Sequence, residues 1–110
     1  MSGIFVKLYV DAVRSGMIAD MGAEKLQTLL VLASYMDAHG RCYPTQWAIA
    51  EALGVARETA NRRVAALLRY RWRGSPIVTA ERRRDPTVQT WANTVYTILP
   101  ESHMRIFDTS

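Results

Sequence analysis

Apolar side chains recur at steps of three and four between Ala23 and Ala38, which is the spacing of a helix with a buried face. The members of that face are Leu26, Leu29, Leu30, Ala33 and Met36, and Leu32 and Tyr35 widen it. Asp20 or Gly22 suits the N-terminal cap, and Gly40 suits a left-handed C-terminal cap. The pattern predicts one long helix that is buried on more than one side.

Two shorter helices are predicted after it, separated by a glycine. Thr45 is a natural N-cap for a helix over residues 46–53, and Gly54 permits a tight turn with positive φ. The next helix begins near Ala56 or Arg57. Its expected core-facing residues are Ala60, Val64, Leu67 and Leu68, and its opposite face carries Glu58, Asn61, Arg62, Ala65 and Arg69. The second helix of this pair therefore has a polar and partly cationic outer face.

The first 21 residues are more ambiguous. Residues 4–9 are apolar and β-prone, and they form either a short extended arm or the start of a first helix. Residues 10–19 predict helix with an interruption near Ser15 and Gly16.

Short strands account for the rest of the pattern. Residues 41–43 fit a very short strand, and residues 77–83 and 91–99 fit two longer ones. Asp85 followed by Pro86 marks a turn between the longer strands, which predicts a hairpin. The polar residues after Pro100 are expected to form a loosely held tail.

Composition narrows the class of protein. A chain of 110 residues with 49% hydrophobic and 22% charged residues fits one small globular domain. It contains neither an apolar run long enough to span a bilayer nor a signal-peptide pattern. The single cysteine, Cys42, is expected to be a half-buried strand residue outside any disulfide. These features favour the cytoplasm, in a bacterial cytosol or nucleoid, and no membrane partner.

Positive charge is concentrated in one segment. Residues 57–84 contain nine arginines and two glutamates, a net charge of +7, whereas the remaining 82 residues carry −3. This asymmetry favours a polyanionic partner, and the planar fork of arginine suits phosphates and guanine edges. The alternative is that the arginines reflect a GC-rich genome.

A known pattern contains many of these positions. They are Asp37, Gly40, Pro44, Thr45, Ile49, Ala50, Leu53, Gly54, Val55, Arg57, Thr59, Val64 and Leu67, followed by Asn93 and Tyr96. With this order of elements, residues 37–99 resemble a winged helix-turn-helix domain. They are similar to the N-terminal domains of plasmid and phage replication initiators and to small bacterial transcriptional regulators. The resemblance implies a mainly α fold with a small β-hairpin.

The chain divides accordingly into an N-terminal element at 1–21, a winged domain at 22–100 and a tail at 101–110. Two positions depart from the family. Ala56 stands where serine or threonine often caps the second helix, and its lack of a hydroxyl weakens the helix start by about 1 kcal/mol. Two residues rather than one separate Asn93 from Tyr96, which alters the register expected for the last strand.

The resemblance also implies roles for individual residues on double-stranded DNA. Base contacts are expected from Arg57, Glu58, Asn61 and Arg62, whose groups can bond guanine, cytosine or adenine edges. Phosphate or wing contacts are expected from Thr45, Gln46, Arg63, Arg82, Arg83 and Arg84. The alternative is an ordinary solvated helix with a Glu58–Arg62 pair, Thr45 as a cap alone, and a wing that aids solubility.

Other candidate chemistry is sparse. Trp47, Trp72 and Trp91 are expected to pack in or beside the core rather than to stack on single strands. The two histidines have no second ligand at metal-binding spacing, and nothing indicates an enzyme, a cofactor or a small-molecule site. A second function remains open: residues 4–21 can build a homodimer, which would make the domain a protein-interaction module with little DNA affinity.

Overall fold

Helices and short strands alternate along the part of the chain that the computed structural model describes, residues 3–85 and 90–108. The helices are α1 (Asp11–Arg14), α2 (Met17–Met21), α3 (Ala23–Ala33), α4 (Gln46–Leu53) and α5 (Arg57–Arg69), with a 3-10 helix at Pro100–Ser102. The strands are β1 (Ile4–Leu8), β2 (Arg41–Cys42), β3 (Arg71–Trp72), β4 (Ser75–Pro76), β5 (Val78–Asp85), β6 (Thr90–Ile98) and β7 (Met104–Asp108). No helix in the described ranges is long and apolar enough to cross a membrane.

The core lies where α3, α4 and α5 pack on one another and on β6. Its fully buried side chains include Leu29 and Leu32 from α3, Ile49 from α4 and Leu67 from α5. Each helix buries one stripe because its apolar residues recur at helical spacing, and the opposite stripe remains in solvent. The outer face of α5 is therefore held by the packing of its inner face.

The predicted hairpin is present and belongs to a three-stranded antiparallel sheet with the order β2-β6-β5. Cys42 pairs with Tyr96 at one side of β6, and Val78 pairs with Ile98 at the other. The predicted turn at Pro86 lies outside the described residues. Because β2 directly precedes α4 across a short connection, the sheet joins the hairpin to the helical part of the fold.

An irregularity in this sheet accommodates the unusual spacing before Tyr96. Arg82 pairs with Thr94 and Arg84 pairs with Trp91, so two residues of β6 face one residue of β5 between these pairs. This count is that of a β-bulge, which adds one residue to a strand without disturbing the pairing on either side. The register from Thr94 to Ile98 is regular.

The helix predicted to reach Ala38 ends at Ala33. The N–H groups of Tyr35 and Met36 bond carbonyls three residues back, which tightens the chain into a turn. The carboxylate of Asp37 then accepts from the N–H groups of His39 and Arg41 at 2.8 and 3.0 Å. A side chain that binds the following backbone competes with helix formation, so this turn replaces the last predicted turn of helix.

The predicted inner face of α3 needs one correction. Leu29 and Ala33 are buried as expected, and so is Met36 just beyond the helix, but Leu30 is 46% exposed. Leu32 is fully buried instead, because the buried stripe runs through positions 29, 32, 33 and 36. Gly22 caps the start of α3, as one of the two predicted candidates.

Gly40 adopts the left-handed backbone that was predicted, with φ of +79°, but it does so in the turn before β2 rather than at a helix end. The backbone of β6 passes directly against it. A Cβ built at this position would lie 2.6 Å from the carbonyl oxygen of Ile98, and the N–H of Ile98 donates to the carbonyl of Gly40 at 2.7 Å. The glycine therefore permits both the turn and the close approach of two chain segments.

The loosely held tail predicted after Pro100 is wrong for residues 104–108. These residues form β7, which pairs antiparallel with β1 from Leu8↔Met104 to Ile4↔Asp108. Met104 is buried in the core, and the N–H of Tyr9 donates to the carbonyl of His103 at 2.9 Å. The strand is stabilised by pairing with β1, which lies about one hundred residues earlier in the chain. A local polar pattern therefore does not reveal it.

This pairing also decides between the two interpretations of the N-terminal segment. Residues 4–8 are a strand rather than the start of a helix. The helix predicted after it is interrupted as expected, since α1 and α2 are separated at Ser15 and Gly16, where φ of Gly16 is +93°.

Candidate nucleic-acid interface

Two helices and a tight turn position the candidate interface. The hydroxyl oxygen of Thr45 accepts from the N–H of Ala48 at 3.0 Å, so Thr45 caps α4 as predicted. Gly54 ends α4 in the left-handed region with φ of 70°, and the N–H of Val55 bonds the carbonyl of Ala50 at 3.1 Å. These contacts fix where α4 ends and the direction in which α5 leaves.

The outer face of α5 brings the four predicted base-contacting residues together. Arg57, Glu58, Asn61 and Arg62 are all exposed, whereas Ala60, Val64 and Leu67 are buried against the core. The guanidinium of Arg62 donates from Nη2 to the hydroxyl of Thr59 at 3.2 Å. Within the described residues, the ion pair recorded on α5 involves Arg63 rather than the Glu58–Arg62 alternative.

Arg57 also contacts a tryptophan of the neighbouring helix. Its Cζ atom lies 4.7 Å from the centroid of the Trp47 ring. Trp47 is 68% exposed, so the predicted packing of this side chain in or beside the core is wrong. The helical period contains the relevant signal, because Trp47 lies about 100° around α4 from the buried stripe of Ile49, Ala50 and Leu53.

Arg63 lies on a different side of α5 from the exposed group. Its Nη2 atom forms an ion pair with Glu24 at 3.2 Å, and its Nη1 atom donates to Gln27 at 3.2 Å. Both partners belong to α3, so Arg63 ties α5 to α3. The structure does not bring Arg63 together with Arg57 and Asn61.

Gln46 is likewise engaged within the protein. Its Nε2 atom donates to the hydroxyl of Tyr96 at 3.0 Å, which links the first turn of α4 to β6. Burial raises the pKa of Tyr96, so the phenol remains protonated at neutral pH. Thr45, the neighbouring candidate for a phosphate contact, is exposed.

The wing contributes one described arginine side chain. Arg82 is exposed on β5, at the last regular pair before the bulge. The side chains of Arg83 and Arg84 lie outside the part of the chain that the structure describes.

The arginines that follow α5 have structural contacts. Arg71 donates from Nη1 to the carbonyls of Leu68 and Tyr70 at 3.2 and 3.3 Å, at the C-terminal end of the helix. Arg73 lies over the ring of Trp72, with Cζ 5.0 Å from its centroid. A cation at a helix C-terminus is favourable because carbonyls without helical partners converge there.

Nucleophilic and metal-binding chemistry has little support in the described residues. No group of three or more histidine, cysteine, aspartate or glutamate side chains is placed to hold a metal ion there. Cys42 is fully buried, and burial raises the pKa of its thiol to about 12. A protonated, buried thiol is a poor nucleophile and a poor metal ligand.

Comparison with known families gave a match to a family described as a helix-turn-helix domain, over residues 22–72. The matched range runs from the residue before α3 to the end of β3 and includes the whole α4–turn–α5 unit. It confirms the predicted helix-turn-helix, and the β5–β6 hairpin that follows makes the fold a winged helix of mixed α and β structure. Neither curated proteins nor solved structures gave a match.

Proposed function

We propose that the protein binds double-stranded DNA sequence-specifically, with α5 in the major groove, and the match of residues 22–72 to a helix-turn-helix domain family supports this. In such domains the second helix of the motif enters the groove and its N-terminal residues approach the base edges. The observation that supports this most directly is the exposed face of α5. It presents Arg57, Glu58, Asn61 and Arg62 to solvent from the first two turns of the helix.

Each of these groups matches an edge found in the major groove. Arginine can donate two hydrogen bonds to guanine O6 and N7, and asparagine can bond adenine N6 and N7. The carboxylate of Glu58 accepts from cytosine N4 and repels phosphate, so it favours one register of the helix over others. A mixed set of donors and acceptors supports sequence discrimination rather than a purely electrostatic attachment.

The wing and the start of α4 supply the proposed backbone contacts. Arg82 and the neighbouring Arg83 and Arg84 would bind phosphates or an adjacent minor groove. Thr45 is exposed at the start of α4, and its hydroxyl, which accepts from the N–H of Ala48, can still donate to a phosphate. Gln46 and Arg63, which bond Tyr96 and Glu24, are proposed to support the interface by holding its elements in place.

Selection from a random duplex library at two salt concentrations tests this function. The wild-type protein should enrich one short consensus, and Arg57→Ala or Arg62→Ala should cost about 1–3 kcal/mol on it and relax the preference at one position. Arg14→Ala removes an exposed arginine outside the basic segment and is the matched control. Absence of any enriched sequence at either salt concentration would reject sequence-specific binding.

The proposed biological role is transcription regulation or the initiation of plasmid or phage replication. The resemblance of residues 37–99 to transcriptional regulators and replication initiators supports this pair of roles. Mapping of bound sites in cells separates them, because a regulator occupies promoters and an initiator occupies a replication origin.

A second candidate function is supported by the N-terminal surface. Ile4, Val10 and Val13 are 70%, 58% and 59% exposed, so this segment carries large apolar side chains in solvent that a partner could bury. The occupant proposed for this surface is a second copy of the chain, because one apolar patch can be buried against itself in a symmetric dimer. Sedimentation with and without DNA tests it: a stable dimer that ignores every duplex would favour the interaction module over DNA binding.

A further inference from the structure

An unusual pair of side chains connects the N-terminal turns of α4 and α5. The indole of Trp47, on the second residue of α4, is 68% exposed although a tryptophan is among the largest apolar side chains. The guanidinium of Arg57, on the first residue of α5, covers one side of it at 4.7 Å. Two exposed side chains from different helices are thus in contact at the start of both.

Folding alone does not explain why this tryptophan is in solvent. Ile49, Ala50 and Leu53 provide the buried face of α4, and Trp47 lies outside that stripe. Large aromatic side chains are enriched at the centres of macromolecular interfaces, where their burial on binding contributes to affinity.

The contact also compensates for the missing side-chain N-cap of α5. Ala56 has the extended backbone of an N-cap but makes no side-chain hydrogen bond to the helix. No side-chain cap at Ala56 therefore holds the next residue, Arg57, in place. Trp47 is the neighbour placed to orient Arg57, since its ring centroid lies 4.7 Å from the guanidinium carbon, within the range of a cation–π contact.

From this geometry we infer that Trp47 and Arg57 act as one recognition unit, in which the indole packs against the DNA and holds Arg57 for a bidentate contact with a guanine. Trp47 is a positioning residue for that contact and is itself buried at the interface. The inference rests on the proposed duplex binding and adds to it a residue from outside α5. A planar donor held in place loses less conformational freedom on binding than a free arginine, which sharpens discrimination between bases.

The test is a double-mutant cycle on the selected duplex and on duplexes with each base pair changed in turn. Arg57→Ala should remove the preference for G·C at one position. Trp47→Ala should remove the preference at that same position and lower affinity about 2- to 30-fold, because the indole's own contact with DNA is lost and Arg57 must be immobilised on binding. If the two act together, Trp47→Ala should cost clearly less affinity in the Arg57→Ala background than in the wild type, the remainder being the indole's own contact with DNA, and Trp47→Phe should retain part of the effect.

Two further variants isolate the geometry from the charge. Arg57→Lys keeps the positive charge without the planar fork, so it should retain non-specific affinity and lose the guanine preference. Arg73→Ala removes an arginine that lies on another tryptophan, in the turn after β3, and should leave base preference unchanged. Because Trp47 is exposed and outside the core, its variants should retain the wild-type fold, which circular dichroism verifies.

Each outcome has a distinct meaning. A wild-type protein that enriches no duplex, or that binds single strands more tightly, overturns the proposed function and the inference with it. An enriched duplex whose recognition depends on Arg57 but is unchanged by Trp47→Ala overturns the inference alone. Reductions in affinity from the two single variants that multiply in the double variant would also reject a joint unit.

Discussion

At the scale of single residues, position 40 shows how backbone geometry constrains the packing of two chain segments. Gly40 combines a left-handed backbone with a carbonyl oxygen of β6 only 2.6 Å from where a Cβ would be. Gly54 has a similar φ of +70°, but nothing lies within 4 Å of its would-be Cβ. The two glycines therefore separate conformational strain from steric collision.

Gly40→Ala is expected to lower the free energy of unfolding by about 2–4 kcal/mol, because strain and collision act together. Gly54→Ala is the matched control and should cost about 1–2 kcal/mol, from strain alone. Urea unfolding of both variants measures the difference. Equal reductions in stability would contradict the close approach of Gly40 to Ile98.

Asp37 gives a second prediction at this scale, which concerns pH. Hydrogen bonds from the N–H groups of Arg41 and His39 hold the pKa of its carboxyl below the ordinary 3.8. The ionised form therefore favours the folded state. This contribution is complete above the unfolded pKa and is lost as the pH falls through the folded one.

Asp37→Asn should accordingly melt at a lower temperature than the wild type at pH 5 to 7, and the gap should close below about pH 3. Thermal unfolding followed at several pH values measures it. A gap that is the same at pH 7 and pH 3 would show that the carboxylate charge contributes nothing.

At the scale of elements, the two helices of the motif differ in how they begin. Thr45 caps α4 with a hydrogen bond of 3.0 Å, whereas Ala56 precedes α5 without one. The backbone of Ala56, with φ of −66° and ψ of 154°, already has the conformation of an N-cap. The helix that carries the proposed base contacts thus lacks a stabilising bond that its geometry would accept.

Ala56→Ser is expected to stabilise the protein by about 1 kcal/mol, because a serine hydroxyl at this position can accept from the N–H of the second or third helical residue. Thr45→Ala should cost a similar amount, since it deletes the corresponding bond of α4. Chemical denaturation of the two variants checks both signs. A serine without effect would mean that the first turn of α5 is already satisfied by other contacts.

The elements also show which parts of the fold a sequence can predict. The α4–turn–α5 unit was predictable because Thr45, Gly54 and the spacing of apolar residues act locally. The end of α3 was not, since it depends on the bonds of Asp37 to residues that follow it. β7 depends on pairing with a strand at the other end of the chain, which local composition does not show. The exposure of Trp47 could be predicted from the helical period of α4, but the usual burial of tryptophan misled.

At the scale of the whole molecule, the excess of positive charge comes from one stretch of the chain rather than from all of it. Residues 57–84 carry +7 and include the outer face of α5 and the first strand of the wing. A DNA duplex bound along both α5 and this strand would release counterions in proportion to the number of its phosphates that the arginines neutralise.

Replacing Arg82, Arg83 and Arg84 by glutamine should weaken binding to every duplex by similar factors and leave base preference intact. The plot of log affinity against log salt should become less steep by about 0.9 for each phosphate that the variant no longer neutralises. Titrations at several salt concentrations measure the slope, with Arg105→Gln, an exposed residue of β7, as the control. An unchanged slope would place the wing away from the DNA.

Cys42 offers a way to follow the opening of the fold without any substitution. Its thiol is fully buried, has a pKa of about 12 and donates to the carbonyl of Tyr96 at 3.5 Å, where β2 pairs with β6. A thiol reagent can react only when this strand pair separates. The labelling rate therefore measures how often β2, which precedes the helices of the motif, opens from β6 of the wing. The chain has one cysteine, so all labelling comes from this site. Slower labelling on adding duplex would show that DNA binding reduces the opening of the β2–β6 pair.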